Sequence, residues 1–409
     1  VNLLADARSI AEDLTDLRHR LHRYPEVGLS LPRTQEAVLE GLDGLGLEVT
    51  TGASCSSVVA VLRGEARSAR TGHRPTVLLR ADMDALPVEE DVDLPYRSQV
   101  DGHMHACGHD LHTTMLVGAA HQLAGHRSAL PGDVVFMFQP GEEGYDGARH
   151  MIDEGVLDAA GRRPDAAYAL HVLSNLTPGI GTSRAGALMA ASDALTVTVH
   201  GRGGHGAAPN LAADPVPAAC EMVLALHTAM TRTVDPFSPA VLTVGRLTAG
   251  TRRNVIPASA RFEATVRTFD PLVRARIAEV ARRACQGIAA AHGLTVEISY
   301  REEYPVTVND DTETAFALRV MEEVHGRGSS LPMAAPIMGS EDFSRVLAEV
   351  PGALLFLGAC PPGRDPLRAP SIHSPQAEFS DTVLPDGSAL LATLAMRRLG
   401  QTTGLVRAG

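Results

Sequence analysis

The feature that most constrains the fold is a change of hydrophobic period partway along the chain. Residues 57–62, 76–81, 133–139 and 166–170 are short, nearly all-apolar runs. Helical patterns separate them: Leu14, Leu17 and Leu21 within residues 5–23, and the apolar stretch 113–123. Buried strands alternating with helices predict an α/β domain with a mainly parallel central sheet flanked by helices. Near residue 185 the texture changes. Residues 194–200 alternate strictly, with Leu195, Val197 and Val199 on one side, as a half-buried strand does. A helical stretch at 215–231 follows, then strands at 240–247 and 260–269, a helix at 272–292 and a strand at 294–300. That order is the split βαβ of an α+β ferredoxin-like unit, inserted into the first domain. Beyond residue 301 the first texture resumes, with helices at 311–325, 341–349 and 382–399 and a strand at 353–358. The expected boundaries are 1–185 and 299–409 for the two parts of the larger domain, and 186–298 for the insertion.

Composition excludes several chemistries. All 36 basic residues are Arg. Without Lys there is no Schiff-base enzyme and no Walker A phosphate loop. A net charge of −12, with no basic run and no Trp, argues against nucleic acid as a partner. No run approaches the ~18 apolar residues of a membrane span. Residues 1–14 carry Asp6, Glu12 and Asp13 and read as an amphipathic helix, not a signal peptide. The five scattered Cys (Cys55, Cys107, Cys220, Cys285, Cys360) do not form a disulfide framework and suggest a cytoplasmic setting. Apart from Cys107 they read as small core residues.

The 17 His point elsewhere. Residues 103–112 read His-Met-His-Ala-Cys-Gly-His-Asp-Leu-His and precede an apolar helix. Cys107 and His109, two apart, face one way in an extended segment and can converge on a metal. Pro140-Gly141-Glu142-Glu143-Gly144 follows a buried strand, where α/β proteins gather ligands. One of its carboxylates can ligate a metal while the other serves as general base. His171 ends a third strand, and His373 lies in Ser371-Ile372-His373-Ser374-Pro375. Each element alone also fits a plainer role: a buried Cys, an acidic surface turn, a structural His. Together Cys107, His109, Glu143, His171 and His373 supply five donors, enough for two ions sharing a ligand. His105 and His112 flank the cluster and stay open between supporting and merely neighbouring roles.

The chain resembles the M20 family of metal-dependent amidohydrolases and peptidases, in the branch of hippurate, N-acyl-amino-acid and auxin-conjugate hydrolases. The resemblance rests on Asp82-Met83-Asp84-Ala85-Leu86-Pro87, on residues 104–110 and 138–144, and on Gly201-Arg202-Gly203-Gly204-His205-Gly206-Ala207. Asn254-Val255-Ile256-Pro257, Gly339-Ser340-Glu341-Asp342-Phe343 and His373-Ser374-Pro375 complete it in the family's order. It implies two divalent ions (Mn, Zn, Co or Ni) on the five donors, with Cys107 taken as the bridge and Glu142 as general base. The inserted unit would be a lid, with His205 stabilising the oxyanion and Asn254 and Arg267 binding the substrate carboxylate. The implied reaction is amide hydrolysis of N-acyl amino acids by a homodimer or higher homo-oligomer. A dipeptidase or aminopeptidase is the alternative within the family; a Cys107 nucleophile and a non-catalytic binder are the alternatives outside that mechanism. Two departures stand out: Asp82-Met83-Asp84 replaces the broader family's His-x-Asp, and Arg202 replaces a lid Lys. Asp84 is therefore read as orienting the ligands rather than joining them, and Asp82 is left open.

Overall fold

In a computed structural model, residues 1–68 and 74–401 are described. The chain divides into two compact units. The first comprises Val1–Leu188, Val308–Ala335 and Asp342–Gly409. Its sheet has eight strands in the order Glu48–Thr51, Val58–Arg63, Asp133–Gln139, Thr76–Asp82, Ala166–Leu173, Gly352–Gly358, Gly181–Ser183, Ser330–Pro332. The four in the middle, Asp133–Gln139 to Gly352–Gly358, are mutually parallel. Three of them are buried at every residue, which explains their apolar runs. The sheet is mixed at its flanks. Val58–Arg63 pairs antiparallel with both neighbours, and Gly181–Ser183 is antiparallel to Gly352–Gly358. An apolar run is buried equally well in either direction, so its pattern does not encode strand direction.

Helix His109–Gly125 is buried nearly all round. Helix Leu384–Gly400 packs on it through small residues. A Cβ on Gly118 would lie 2.4 Å from Ser388 Oγ, and one on Gly387 would lie 2.3 Å from Met115 Sδ. The helix expected over 5–23 is two, Leu3–Ser9 and Ala11–Arg23, broken at Ile10. The helix expected from 341 begins at Ser344. Asp342 is instead drawn into the core, where its carboxylate accepts from Arg80, Gln139 and the Ala148 N–H.

The second unit comprises Met189–Thr307 and Pro336–Glu341. Its antiparallel sheet runs Ala240–Ala249, Ser259–Thr268, Ala191–His200, Thr295–Tyr304. Its last strand continues past residue 298 to Tyr304. Leu195, Val197 and Val199 are buried, with Phe262 and Val266, against Ala218 and Met222 of helix Pro215–Thr233 and Ile277 and Ala281 of helix Pro271–Ala291. Both helices open on Pro after a capping Asp: Asp214 accepts from the Val216 N–H and Asp270 from Leu272 and Val273, the usual way to satisfy first-turn donors. Cys220 corrects the expectation of a core residue. It is exposed, because the inward face of its helix is set by Pro215, Ala218, Ala219, Met222 and Leu226. Cys285 and Cys360 are buried and Cys55 is intermediate. Among the described residues, no helix is long and apolar enough to cross a membrane.

Candidate metal centre

The parallel strands deliver their carboxyl ends to one region of the first unit. Thr76–Asp82 ends at Asp82, with Asp84 two residues on. Asp133–Gln139 leads into Glu142 and Glu143, and His171 lies near the end of Ala166–Leu173. Cys107 and His109 enter from the start of helix His109–Gly125, across Gly108 at φ +82°. Only a residue without Cβ suits that position. Its φ is left-handed, and a Cβ there would lie 2.4 Å from Val172 Cγ2.

Cys107 Sγ sits between two imidazoles, 3.4 Å from His171 Nε2 and 3.3 Å from His373 Nε2. His373 Nε2 is also 3.0 Å from Glu143 Oε1. Donor atoms within 4.8 Å of one another form overlapping groups: Cys107, His109 and His171; Cys107, Glu143 and His373; His109, Glu142 and Glu143. Cys107 belongs to two of them. His373 reaches the group from a left-handed backbone, φ +68°, with its N–H bonded to Ala106 O at 2.9 Å. For a non-glycine residue that conformation costs about 1–2 kcal/mol, and strain of this kind collects at functional sites.

The electrostatics call for a cation. Both ring nitrogens of His109 are buried without a hydrogen-bond partner. Its nearest carboxylates are Asp84 at 3.6 Å and Asp82 at 3.7 Å, too far for a hydrogen bond. Burial opposes charge on this ring, yet Asp82, Asp84 and Glu143 push its pKa up to about 10. Burial, then Glu143, Glu142 and Asp82, push the Cys107 thiol well above its ordinary range. Burial, then His112, hold His171 well below the usual imidazole value, in the neutral form that coordinates metal. The carboxylates of Asp82, Asp84, Glu142 and Glu143 crowd the Cys107 thiol and the His109 ring, an excess of negative charge that a cation would offset. Thiolate, imidazole and carboxylate donors suit Zn and the neighbouring first-row ions.

Surrounding groups hold this arrangement. Asp84 accepts the Glu142 N–H at 2.9 Å and the Glu143 N–H at 3.1 Å, so one carboxylate sets the turn that aims both glutamates. Asp82 takes Arg80 on one oxygen at 2.6 Å and His112 on the other at 2.6 Å. Against burial, His109, Arg80 and His112 keep Asp82 well below the carboxylate range. His105 has no partner at either buried nitrogen, and burial lowers its pKa to about 3. The reading from sequence left Asp82 and His112 open. The available signal was the spacing of His109 and His112, which share a helical face.

His205, Asn254 and Arg267 lie in the second unit. His205 is exposed and pairs with Val255, and the Gly206 N–H donates to Asn254 O at 2.9 Å. His205 Nδ1 accepts the Ala207 N–H at 3.0 Å, so a neutral ring carries its proton on Nε2. Arg267, on strand Ser259–Thr268, donates to Ser340 Oγ.

Residues 78–397 match the model of peptidase family M20/M25/M40. The chain is 36% identical to a thermostable carboxypeptidase of Saccharolobus solfataricus, over 86% of this chain and 87% of that one. It is 34% identical to the hippurate hydrolase of Campylobacter jejuni, over 98% of this chain and all of that one. A solved Bacillus subtilis structure, described as a dinuclear metal binding peptidase from the M20 family, superposes with a TM-score of 0.76 at 30% identity, covering 96% of this chain and 99% of that one. Matches of this extent are decisive: the chain belongs to peptidase family M20/M25/M40.

Proposed function

We propose that this hydrolase cleaves the amide bond of N-acyl amino acids, releasing a carboxylic acid and a free amino acid. The observation that carries the reading is the pair of donor groups overlapping at Cys107 beside the buried Glu142. Cys107, His109, Glu143, His171 and His373 would hold two divalent ions (Mn, Zn, Co or Ni). These would supply Lewis acidity and a water of lowered pKa. Glu142 would take a proton from the attacking water and pass it to the leaving amine. His205, protonated on Nε2, donates to the developing oxyanion. Asn254 and Arg267 bind the α-carboxylate, for which a guanidinium is well shaped. The second unit acts as a lid that excludes water on closing.

A cysteine nucleophile fits less well, because burial and three carboxylates disfavour the Cys107 thiolate. A non-catalytic binder would need no buried general base at Glu142. The likeness to a carboxypeptidase keeps peptides within the substrate range. A panel of N-acetyl and N-benzoyl amino acids against free dipeptides, with added Mn, Zn, Co or Ni, tests the reading. Hydrolysis of the blocked substrates is expected, and release from free dipeptides alone would overturn it in favour of a dipeptidase or aminopeptidase. Glu142→Gln should keep both ions and lose about 10²–10⁴-fold in kcat. Near-normal turnover in that variant would remove Glu142 from the mechanism. A homodimer or higher homo-oligomer is in keeping with the exposed Leu224, Phe237 and Leu272 of the second unit, and sedimentation velocity would detect it.

A further inference from the structure

We propose that His112 is a positioning residue that fixes the coordinating face of His171 through the backbone of Val172. The inference rests on the reading of His171 as a metal ligand. The ladder between Thr76–Asp82 and Ala166–Leu173 stops at the pair Arg80–Ala169. Val172 lies three residues beyond, and its buried polar groups need other partners. Two imidazoles provide them. The Val172 N–H donates to His112 Nε2 at 2.8 Å. The Val172 carbonyl accepts from His171 Nδ1 at 2.7 Å.

These bonds assign both rings, because an N–H can only donate and a carbonyl can only accept. His112 has its lone pair on Nε2 and its proton on Nδ1, which it gives to Asp82 Oδ1 at 2.6 Å. The other oxygen of Asp82 is held by Arg80. His171 has its proton on Nδ1 and its lone pair on Nε2, the atom 3.4 Å from Cys107 Sγ. The two rings meet edge to face, with centroids 4.6 Å apart and planes inclined at 62°. The side chain of Val172 is pinned as well, under Gly108 between Cys107 and His109.

The same geometry excludes His112 as a ligand. Asp82, His109 and His112 are close enough to suggest a third ion site. Both nitrogens of His112 are already committed, whereas both of His109 are unpartnered. The chain Arg80–Asp82–His112–Val172–His171 therefore ends at a single imidazole lone pair. Outer groups of this kind are commonly worth 10–100-fold in metal affinity.

The test compares Co(II) and Zn(II) titrations of the full chain with those of His112→Gln, His112→Asn and His171→Ala. A Gln amide reaches the place of Nε2 and can still accept from Val172; an Asn amide reaches only the place of Nδ1. His112→Gln should keep affinity near that of the unaltered chain. His112→Asn should lose about 10–100-fold at one of two sites, the site also lost in His171→Ala, with a changed Co(II) visible spectrum. A role limited to satisfying Asp82 would reverse that order and overturn the proposal. Unchanged binding in His112→Asn alongside a loss in His171→Ala would also overturn it, with the metal reading intact. Unchanged binding in His171→Ala would overturn the ligand assignment, and the proposal with it. Should the His112 variants not fold, ¹⁵N spectra of the unaltered metal-free chain decide. The proposal requires protons on Nδ1 of both rings, and the opposite tautomer at either would refute it.

Discussion

Gly108→Ala places a Cβ between two of the proposed ligands, where there is no room for it. The backbone there is left-handed, φ +82°, a conformation costing an L-residue about 1–2 kcal/mol. The new Cβ would lie 2.4 Å from Val172 Cγ2 and 3.2 Å from Phe379 Cε1. Overpacking of that kind costs a further ~1–3 kcal/mol. The expected total is about 2–5 kcal/mol. Gly102 is the control. Its φ is +71°, with no atom within 4 Å of a built Cβ, so Gly102→Ala should cost only the backbone portion, about 1–2 kcal/mol. Denaturant unfolding of both variants, metal-free and compared at equal m, measures the difference. Relief of the clash must move Val172 or the Cys107–His109 turn. Gly108→Ala should therefore also weaken metal binding, and Gly102→Ala should not. Equal destabilisation of the two variants, or unchanged metal affinity in Gly108→Ala, would refute the reasoning.

Asp84→Ala removes the acceptor of two N–H groups at Glu142 and Glu143. Each buried donor left unpaired costs about 1–3 kcal/mol; a clear drop in melting temperature with a fall in kcat is expected, and a silent substitution would show that the turn holds itself. Exhaustive chelation should abolish hydrolysis, and Mn, Zn, Co or Ni should restore it; full activity with less than one ion per chain would count against the metal mechanism. His22 supplies a pH dependence. Burial opposes its charge, but Asp110 and Glu90 outweigh burial and raise its pKa above 6.5. The folded chain thus holds this proton more tightly than the unfolded one. The contribution is complete below about pH 6.5 and is lost as pH rises through the folded value. The stability difference between the unaltered chain and His22→Gln should shrink from pH 6 to pH 9, and a difference that grows with pH would reverse the assignment.

Much of the centre was legible because its chemistry resides in residue types at strand and helix ends. Cys107 and His109 at a helix start, Glu143 and His171 at or just past strand ends and His373 in a loop are uncommon donors, and the structure gathers them in overlapping groups. The period-two strand carrying Leu195, Val197 and Val199 was equally plain, since its facing depends only on residues two apart. The antiparallel pairing of Val58–Arg63 with Asp133–Gln139 and of Gly181–Ser183 with Gly352–Gly358 was not legible, because these partners lie far apart in sequence. His105 and His112 illustrate the same limit within one segment. Both are buried imidazoles beside the centre, yet His105 finds no partner and His112 finds two.

By itself the sequence determined which chemistries are open. It has no Lys for a Schiff base or a phosphate loop, and its acids, thiol and imidazoles stand at element ends. The tertiary structure alone decided what each group does. Asp84 became the acceptor for the Glu142–Glu143 turn, 58 residues away. His112 was committed by Asp82, 30 residues before it, and by Val172, 60 residues after it. The physical reason is that secondary structure follows from neighbours within a few residues. The role of a lone pair or a proton follows from whichever donor or acceptor the fold brings within 3 Å of it.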